Sequence, residues 1–190
     1  MADRPLSGGQ TAAAILALAL IVGLAGDACH VAAGTTTYEW DGVPTVWRSA
    51  IWFPVALAGS VLAAAWLSER AGTPAVRTRT RADAVVGAAV VLALYAVTAL
   101  LNDTPATVSV VLVGAIAVAV WAWWDPSPGA LAVALAASVL GPLAEVAVVS
   151  LGASAYGEQV DGLGGVAPWL PWLYFAAGAV AARLWAAVRD

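Results

Sequence analysis

Six apolar stretches, each close to the length of one membrane-spanning helix, follow one another along this chain of 190 residues. They lie at residues 11–34, 47–67, 84–101, 105–124, 129–151 and 167–188. A helix needs about 20 apolar residues to cross the bilayer hydrocarbon. None of the stretches shows the alternating polarity of the roughly ten-residue strands of a membrane barrel. Only 11% of the residues are charged, against about 25% in soluble domains, so nothing is left from which to build a separate soluble domain. The expectation is an all-α integral membrane protein: one transmembrane domain over residues 1–190, folded as a six-helix bundle.

A secretory signal is the competing reading of the first stretch, because a short segment with Arg4 precedes it. The stretch is longer than a signal core of about 7–15 residues, so it reads as the first span. Short connections at residues 102–104 and 125–128 predict that helices three and four, and four and five, run as antiparallel neighbours. The Asp125-Pro126-Ser127-Pro128 turn is strongly encoded, since proline ends one helix and is tolerated in the first turn of the next. Longer polar loops are expected at residues 35–44, 68–81 and 153–166.

The formal net charge is −4, but the placement of the cations says more than the sum. With six spans, Arg4, Arg70, Arg77, Arg79, Arg81, Arg183 and Arg189 fall on one side and Arg48 alone on the other. Arginine accumulates on the cytoplasmic side, so both termini are expected there. Trp40, Trp47, Trp52, Trp169 and Trp172 then mark outer helix ends. Trp66, Trp121, Trp123, Trp124 and Trp185 mark inner ends, as interfacial tryptophans do. The wealth of Ala, Val, Gly and Arg suits a GC-rich bacterial genome, which places the chain in a bacterial plasma membrane.

Several functions are excluded by what the chain lacks. It contains no lysine, which removes Schiff-base chemistry. The single Cys29 forbids an internal disulfide, and the single His30 rules out an all-histidine metal site. No metal, no cofactor and no nucleic-acid partner is expected. Asp27 and His30 stand three apart on one face of the first helix, near its outer end. They read either as a hydrogen-bonded or interfacial pair, or as an acid/base or metal pair joined by Glu145. Glu145 lies well inside the fifth span, where an ionisable residue is expensive and marks a functional candidate; a helix-packing hydrogen bond is the alternative. Gly141-Pro142, one turn earlier, is expected to kink that helix and open space beside it. Runs of small residues let helices approach closely, and the same short side chains leave room for an apolar cleft of the kind that holds lipid.

Three phrases resemble the Insig family, the six-span membrane proteins that bind oxysterols and retain sterol-sensing partners. Arg48-Ser49-Ala50-Ile51-Trp52-Phe53-Pro54 is similar to the family's Ser-Ser-Ala-Trp-Trp-Val-Pro at the second span. Trp121-Ala122-Trp123-Trp124-Asp125, continued by Ser127 and Gly129, resembles its Leu-Trp-Trp-Thr-Phe-Asp-Arg-Ser-Arg-Ser-Gly after the fourth. Pro168-Trp169-Leu170-Pro171-Trp172-Leu173-Tyr174-Phe175 resembles Ser-Trp-Leu-Pro-Cys-Ile-Phe-Phe at the sixth. The resemblance implies that Asp125 belongs to a partner-contact surface and that Trp121 matches a tryptophan at the base of its helix. It also exposes departures. Val108 stands where eukaryotic members carry a glutamine, Glu145 stands where they carry another, and the turn arginines are Pro126 and Pro128.

These readings combine into one expectation. The chain is a non-catalytic membrane protein that holds a diacylglycerol-like or sterol-like lipid inside the bundle, with a membrane-protein partner or further copies of itself as possible companions. Glu145, Tyr95 and Asn102 are the expected polar ligand contacts, and Val108 and Trp121 further ligand-site positions. A small transporter and a membrane enzyme acting on a lipid or isoprenoid are the alternatives. The first needs a polar path at the midplane. The second needs Asp27, His30 and Glu145 to converge.

Overall fold

The computed structural model describes residues 4–40, 42–158, 160, 162 and 164–190. Six α-helices dominate it: α1 (Gly8–Ala32), α2 (Trp52–Ala71), α3 (Arg81–Leu100), α4 (Ala106–Trp124), α5 (Pro128–Ser150) and α6 (Leu170–Arg189). Each is long and apolar enough to cross a membrane, so the chain is an integral membrane protein with a six-helix bundle.

The helix starts are written locally. Ser7 accepts from the Gln10 N–H while the Gln10 side chain accepts from the Ser7 N–H, and Thr80 and Asp83 form the same reciprocal cap on α3. Such boxes satisfy backbone donors that the first turn leaves free. Ser127 caps α5, with Pro128 in its first turn. Gly72, at φ 61°, closes α2 in the left-handed conformation that glycine reaches without steric cost. The helix α5 continues through Pro142.

The sixth helix is the axis of the bundle. All five other helices pack against it, and its buried positions include Ala176, Gly178, Ala179, Ala181 and Ala182. Around it, α1 lies between α2 and α3, and α3 touches α4. The expected side-by-side pairing of α4 and α5 is not found: each leans on α6, and neither packs extensively on the other. The cause lies in the turn between them. Asp125 is extended (φ −158°, ψ 100°) and tied to α6, so the chain leaves α4 and rejoins α6 elsewhere on its surface. Gly178 admits α5 there. A Cβ at that position would sit 2.6 Å from Ala137 Cβ and 3.0 Å from the Ala134 backbone.

The two ends of the bundle differ. At one end the chain termini meet, with the Leu6 N–H bonded to Arg189 O at 2.9 Å, and Arg81 donates to the carbonyls of Arg4, Val188 and Arg189. Arg79, Arg183 and Arg189 make their polar contacts at this same end. The opposite end is closed by a ribbon that periodicity does not reveal. Strand β1 (Thr36–Tyr38) pairs antiparallel with β4 (Ser154–Tyr156), Thr36 opposite Tyr156. A hairpin of β2 (Thr45–Val46) and β3 (Ser49–Ala50) turns at Trp47 and Arg48, both at positive φ. The second span therefore begins at Trp52 rather than Trp47, because residues 45–50 form this hairpin.

Candidate functional site

Two cavities share one wall. The larger is an apolar cleft of about 650 Å³ between α2 and α5, with Tyr174 of α6 at its back. Its sides are mostly small: Ala56, Ala63 and Ala64 from α2, and Ala132, Ala136, Ala137 and Ala144 from α5. Exposed Leu67 and Leu140 also line it. The lining runs from Trp52 to Ala71, the whole of α2. At 1.5 Å per residue that is about 30 Å, the thickness of the hydrocarbon layer. The cleft exists because α2 and α5 both pack on α6 while touching each other little. Short side chains do not fill the space that remains.

The smaller cavity is a polar chamber beneath the β1–β4 ribbon, with a free volume of about 10 Å³, room for one water-sized group. Asp27 and His30 of α1, Tyr95 of α3 and Glu145 of α5 reach it from the helices, and Thr36, Tyr38, Ser154 and Tyr156 from the ribbon. Glu145 and Phe53 line both cavities, so the chamber adjoins the ribbon end of the cleft.

Several of the buried groups in this region are held by their neighbours. Tyr38 donates its hydroxyl to Asp27 Oδ2 at 2.6 Å. Burial, reinforced by the neighbouring Asp27 carboxyl, pushes the Tyr38 hydroxyl well above its ordinary value, so it remains a donor. Tyr174 donates to Glu145 Oε1 at 2.9 Å, and its ring lies directly over Gly141, where a Cβ would collide with it. His30 Nε2 lies 2.8 Å from Thr98 Oγ1. The Thr98 hydroxyl donates to the carbonyl of Tyr95 or Leu94, which makes Thr98 the acceptor and His30 Nε2 the donor. The imidazole is packed beside the rings of Tyr95 and Trp169.

Asp27, His30 and Glu145 thus line one chamber; Asp27 and His30 are each hydrogen-bonded, but to Tyr38 and Thr98 rather than to each other. Among the described residues, no three His, Cys, Asp or Glu side chains are grouped closely enough to hold a metal ion. Of the other expected contacts, Tyr95 lines the chamber. Asn102, Val108 and Trp121 line neither cavity. Asn102 ties the end of α3 to Ala33 O at 3.1 Å. Val108 and Trp121 belong to α4, which packs on α6 and α3 rather than on the cleft helices.

Asp125 also needs correction. Expected at a contact surface, it is wholly buried. Its Oδ2 lies 2.5 Å from Arg183 Nε and accepts from Ser127 Oγ at 2.8 Å, and its Oδ1 accepts from the Val76 N–H at 2.9 Å. Arg183 spends its remaining donors on Thr73 O, Pro74 O and Ser127 Oγ. Burial alone would raise the Asp125 carboxyl. The hydrogen bonds from Arg183, Ser127 and Val76 outweigh it and hold the carboxyl below its usual value. Reading along the chain missed Arg183, Tyr174, Tyr38 and Tyr156. A lone arginine inside the sixth apolar stretch was the available signal for the first of them.

A six-span helical bundle with a lateral apolar cleft and one small polar chamber defines a class of membrane protein rather than a particular one. No family model matches the chain. A curated relative from Mycolicibacterium vanbaalenii, an INSIG protein homolog, is 41% identical over 174 residues, 91% of this chain and 84% of the relative. The crystal structure of a mycobacterial Insig homolog, MvINS from Mycobacterium vanbaalenii, superposes with a TM-score of 0.89 at 37% identity, covering 98% of this chain and 96% of that one. The structure of a cross-linked MvINS R77C trimer matches equally well. The chain belongs to the Insig family.

Proposed function

We propose that this protein binds a lipid without transforming it, holding one apolar molecule of the diacylglycerol-like or sterol-like kind in the cleft between α2 and α5. The observation that carries this reading is the cleft itself: about 650 Å³ of apolar space as deep as the hydrocarbon, with a buried carboxyl near one end. Acyl chains or a ring system need few directional contacts there, whereas their polar end must meet a partner. Family membership supports the same conclusion. Saturable binding of labelled diacylglycerol or oxysterol to purified protein is expected. Failure of both to bind a stable, lipid-free protein overturns the reading.

The rivals fit less well. A transporter needs a polar path through the midplane, but the cleft is lined mainly by alanine, valine and leucine. An enzyme needs room for the scissile bond and its attacking group beside Asp27, His30 and Glu145. The chamber has room for one water-sized group, and His30 Nε2 is engaged with Thr98.

The arginine-rich end, with both termini, faces the cytoplasm in a bacterial plasma membrane, following the bias of arginine to that side. Single cysteines at Thr78, Thr37 and Gly157 in a Cys29-free background test this in sealed cells, Thr37 and Thr78 both being exposed. Thr37 and Gly157 label from outside and Thr78 does not; the reverse pattern overturns the orientation. The cross-linked trimer of the mycobacterial homolog supports self-association of this chain as well, and Val111, Leu135 and Leu143 present exposed apolar surface for it. A membrane-protein partner remains compatible with the Asp125 turn. Because that carboxylate is buried, its contribution is to shape the turn rather than to touch the partner.

A further inference from the structure

We propose that the chamber beneath the β1–β4 ribbon is a hydroxyl-recognition subsite, which admits the bare alcohol end of the cleft lipid and rejects a capped or phosphorylated one. The proposal rests on the lipid reading of the cleft and assigns the chemical class of head that the cleft accepts.

Adjacency to the cleft comes first. Glu145 and Phe53 line both spaces, so a single layer of side chains separates them, and Glu145 faces the cleft as well as the chamber. Size comes next. The chamber's free volume of about 10 Å³ corresponds to one water-sized group, which is one hydroxyl oxygen. A phosphate, with its tetrahedron of oxygens, does not fit, and neither does an ester or methyl ether at the same position.

The lining chemistry selects in the same direction. The Tyr95 ring is fixed between His30, 5.2 Å away between centroids, and Gly26, where a Cβ would lie 2.6 Å from Tyr95 Cγ. The residue is 95% buried, and its hydroxyl makes no hydrogen bond among the described residues. Thr36, on the ribbon, is buried against the chamber with its Oγ1 unpartnered among the described residues. Glu145 has only Oε1 engaged, by Tyr174. A buried polar group without a partner is costly, and one alcohol, which both donates and accepts, pairs with the free carboxyl oxygen and with a neighbouring hydroxyl at once. The described lining contains two carboxyl groups and no arginine, the wrong surroundings for an anionic head.

The test compares 1,2-dioleoylglycerol, its 3-O-methyl ether and its 3-phosphate as competitors for binding to the purified full-length chain. The alcohol is expected to bind at least about 30-fold more tightly than either analogue, a modest value for a site built around a hydroxyl. Tyr95→Phe preserves the ring packing and removes the free hydroxyl. It is expected to weaken the alcohol about 3- to 10-fold, the net worth of one hydrogen bond, while leaving the ether unchanged and closing the preference by the same factor. Tyr156→Phe provides a second variant, on the ribbon that covers the chamber, and the melting temperature of each confirms folding. Equal binding of all three lipids, unmoved by either variant, overturns the subsite, leaves the chamber as a water site and leaves the cleft reading standing. Binding of none of them overturns both.

Discussion

Arg183→Ala is expected to lower the stability of the bundle by about 3–5 kcal/mol, the cost of leaving a buried carboxylate without its partner. Arg183 is 8% exposed and Asp125 fully buried. The guanidinium joins three parts of the chain: the α4–α5 turn through Asp125 and Ser127, the loop after α2 through Thr73 O and Pro74 O, and α6 itself. Its loss leaves two carbonyls without their donor and the buried carboxylate without its cation. Thermal or SDS unfolding of purified protein measures the effect, and a loss below about 1 kcal/mol, the range of exposed pairs, contradicts the buried network. Replacing both partners, as in Arg183→Met with Asp125→Leu, is expected to cost much less than the single change, because paired apolar replacements leave no orphaned charge.

The same network gives a pH signature. The Asp125 carboxyl is held below its usual value in the folded chain, so the stability it contributes is fully present above the unfolded value of about 3.9 and is lost as pH falls through the folded one. Wild-type protein should therefore lose stability more steeply than Asp125→Asn as the pH is lowered below about 4. Parallel acid curves would assign the steepness to other carboxyls.

Gly178→Leu is the second large effect. The obstacles to a side chain at this position are Ala137 Cβ and the backbone of Ala134 and Val133 at 2.6–3.0 Å, and a backbone cannot turn aside as a flexible side chain does. Overpacking typically costs about 1–3 kcal/mol, and a forced separation of α5 from α6 belongs at the top of that range. Gly59→Ala is the control. Nothing lies within 4 Å of its added Cβ, and removing an exposed helical glycine should stabilise the chain by about 0.5–1 kcal/mol. The contrast distinguishes close packing at Gly178 from general glycine effects.

What the sequence revealed and what it hid follow from the range of the interactions. The six spans were legible because a helix carries its own backbone hydrogen bonds and its apolar length is set by the bilayer; Ser7, Thr80 and Ser127 caps are equally local. The ribbon was not legible, since a three-residue strand at Thr36–Tyr38 has meaning only beside Ser154–Tyr156, more than a hundred residues away. The α4–α5 pairing was misread because a short loop implies neighbours only when nothing else captures it, and here Arg183 does. Glu145 could be singled out as a lone charge in an apolar span. Its convergence with Asp27, His30 and Tyr95 depends on how α1, α3 and α5 rotate about α6, which spacing within any one helix does not encode. Resemblance to the Insig family identified the architecture; Val108 and Trp121, which it drew in, and Asn102, chosen as a polar side chain, lie outside the cleft that α2 and α5 frame.

The central claim is that the cleft between α2 and α5 holds a lipid. Mass spectrometry of lipid retained through gentle purification, compared between wild-type protein and Ala136→Trp, tests it most directly, because Ala136 lines the cleft at an exposed position where a bulky ring occupies the space without entering the core. The account predicts one neutral lipid bound per wild-type chain and little or none in the variant, with both proteins folded. Equal retention by the two, or a fully stable wild-type protein carrying no lipid, would contradict it.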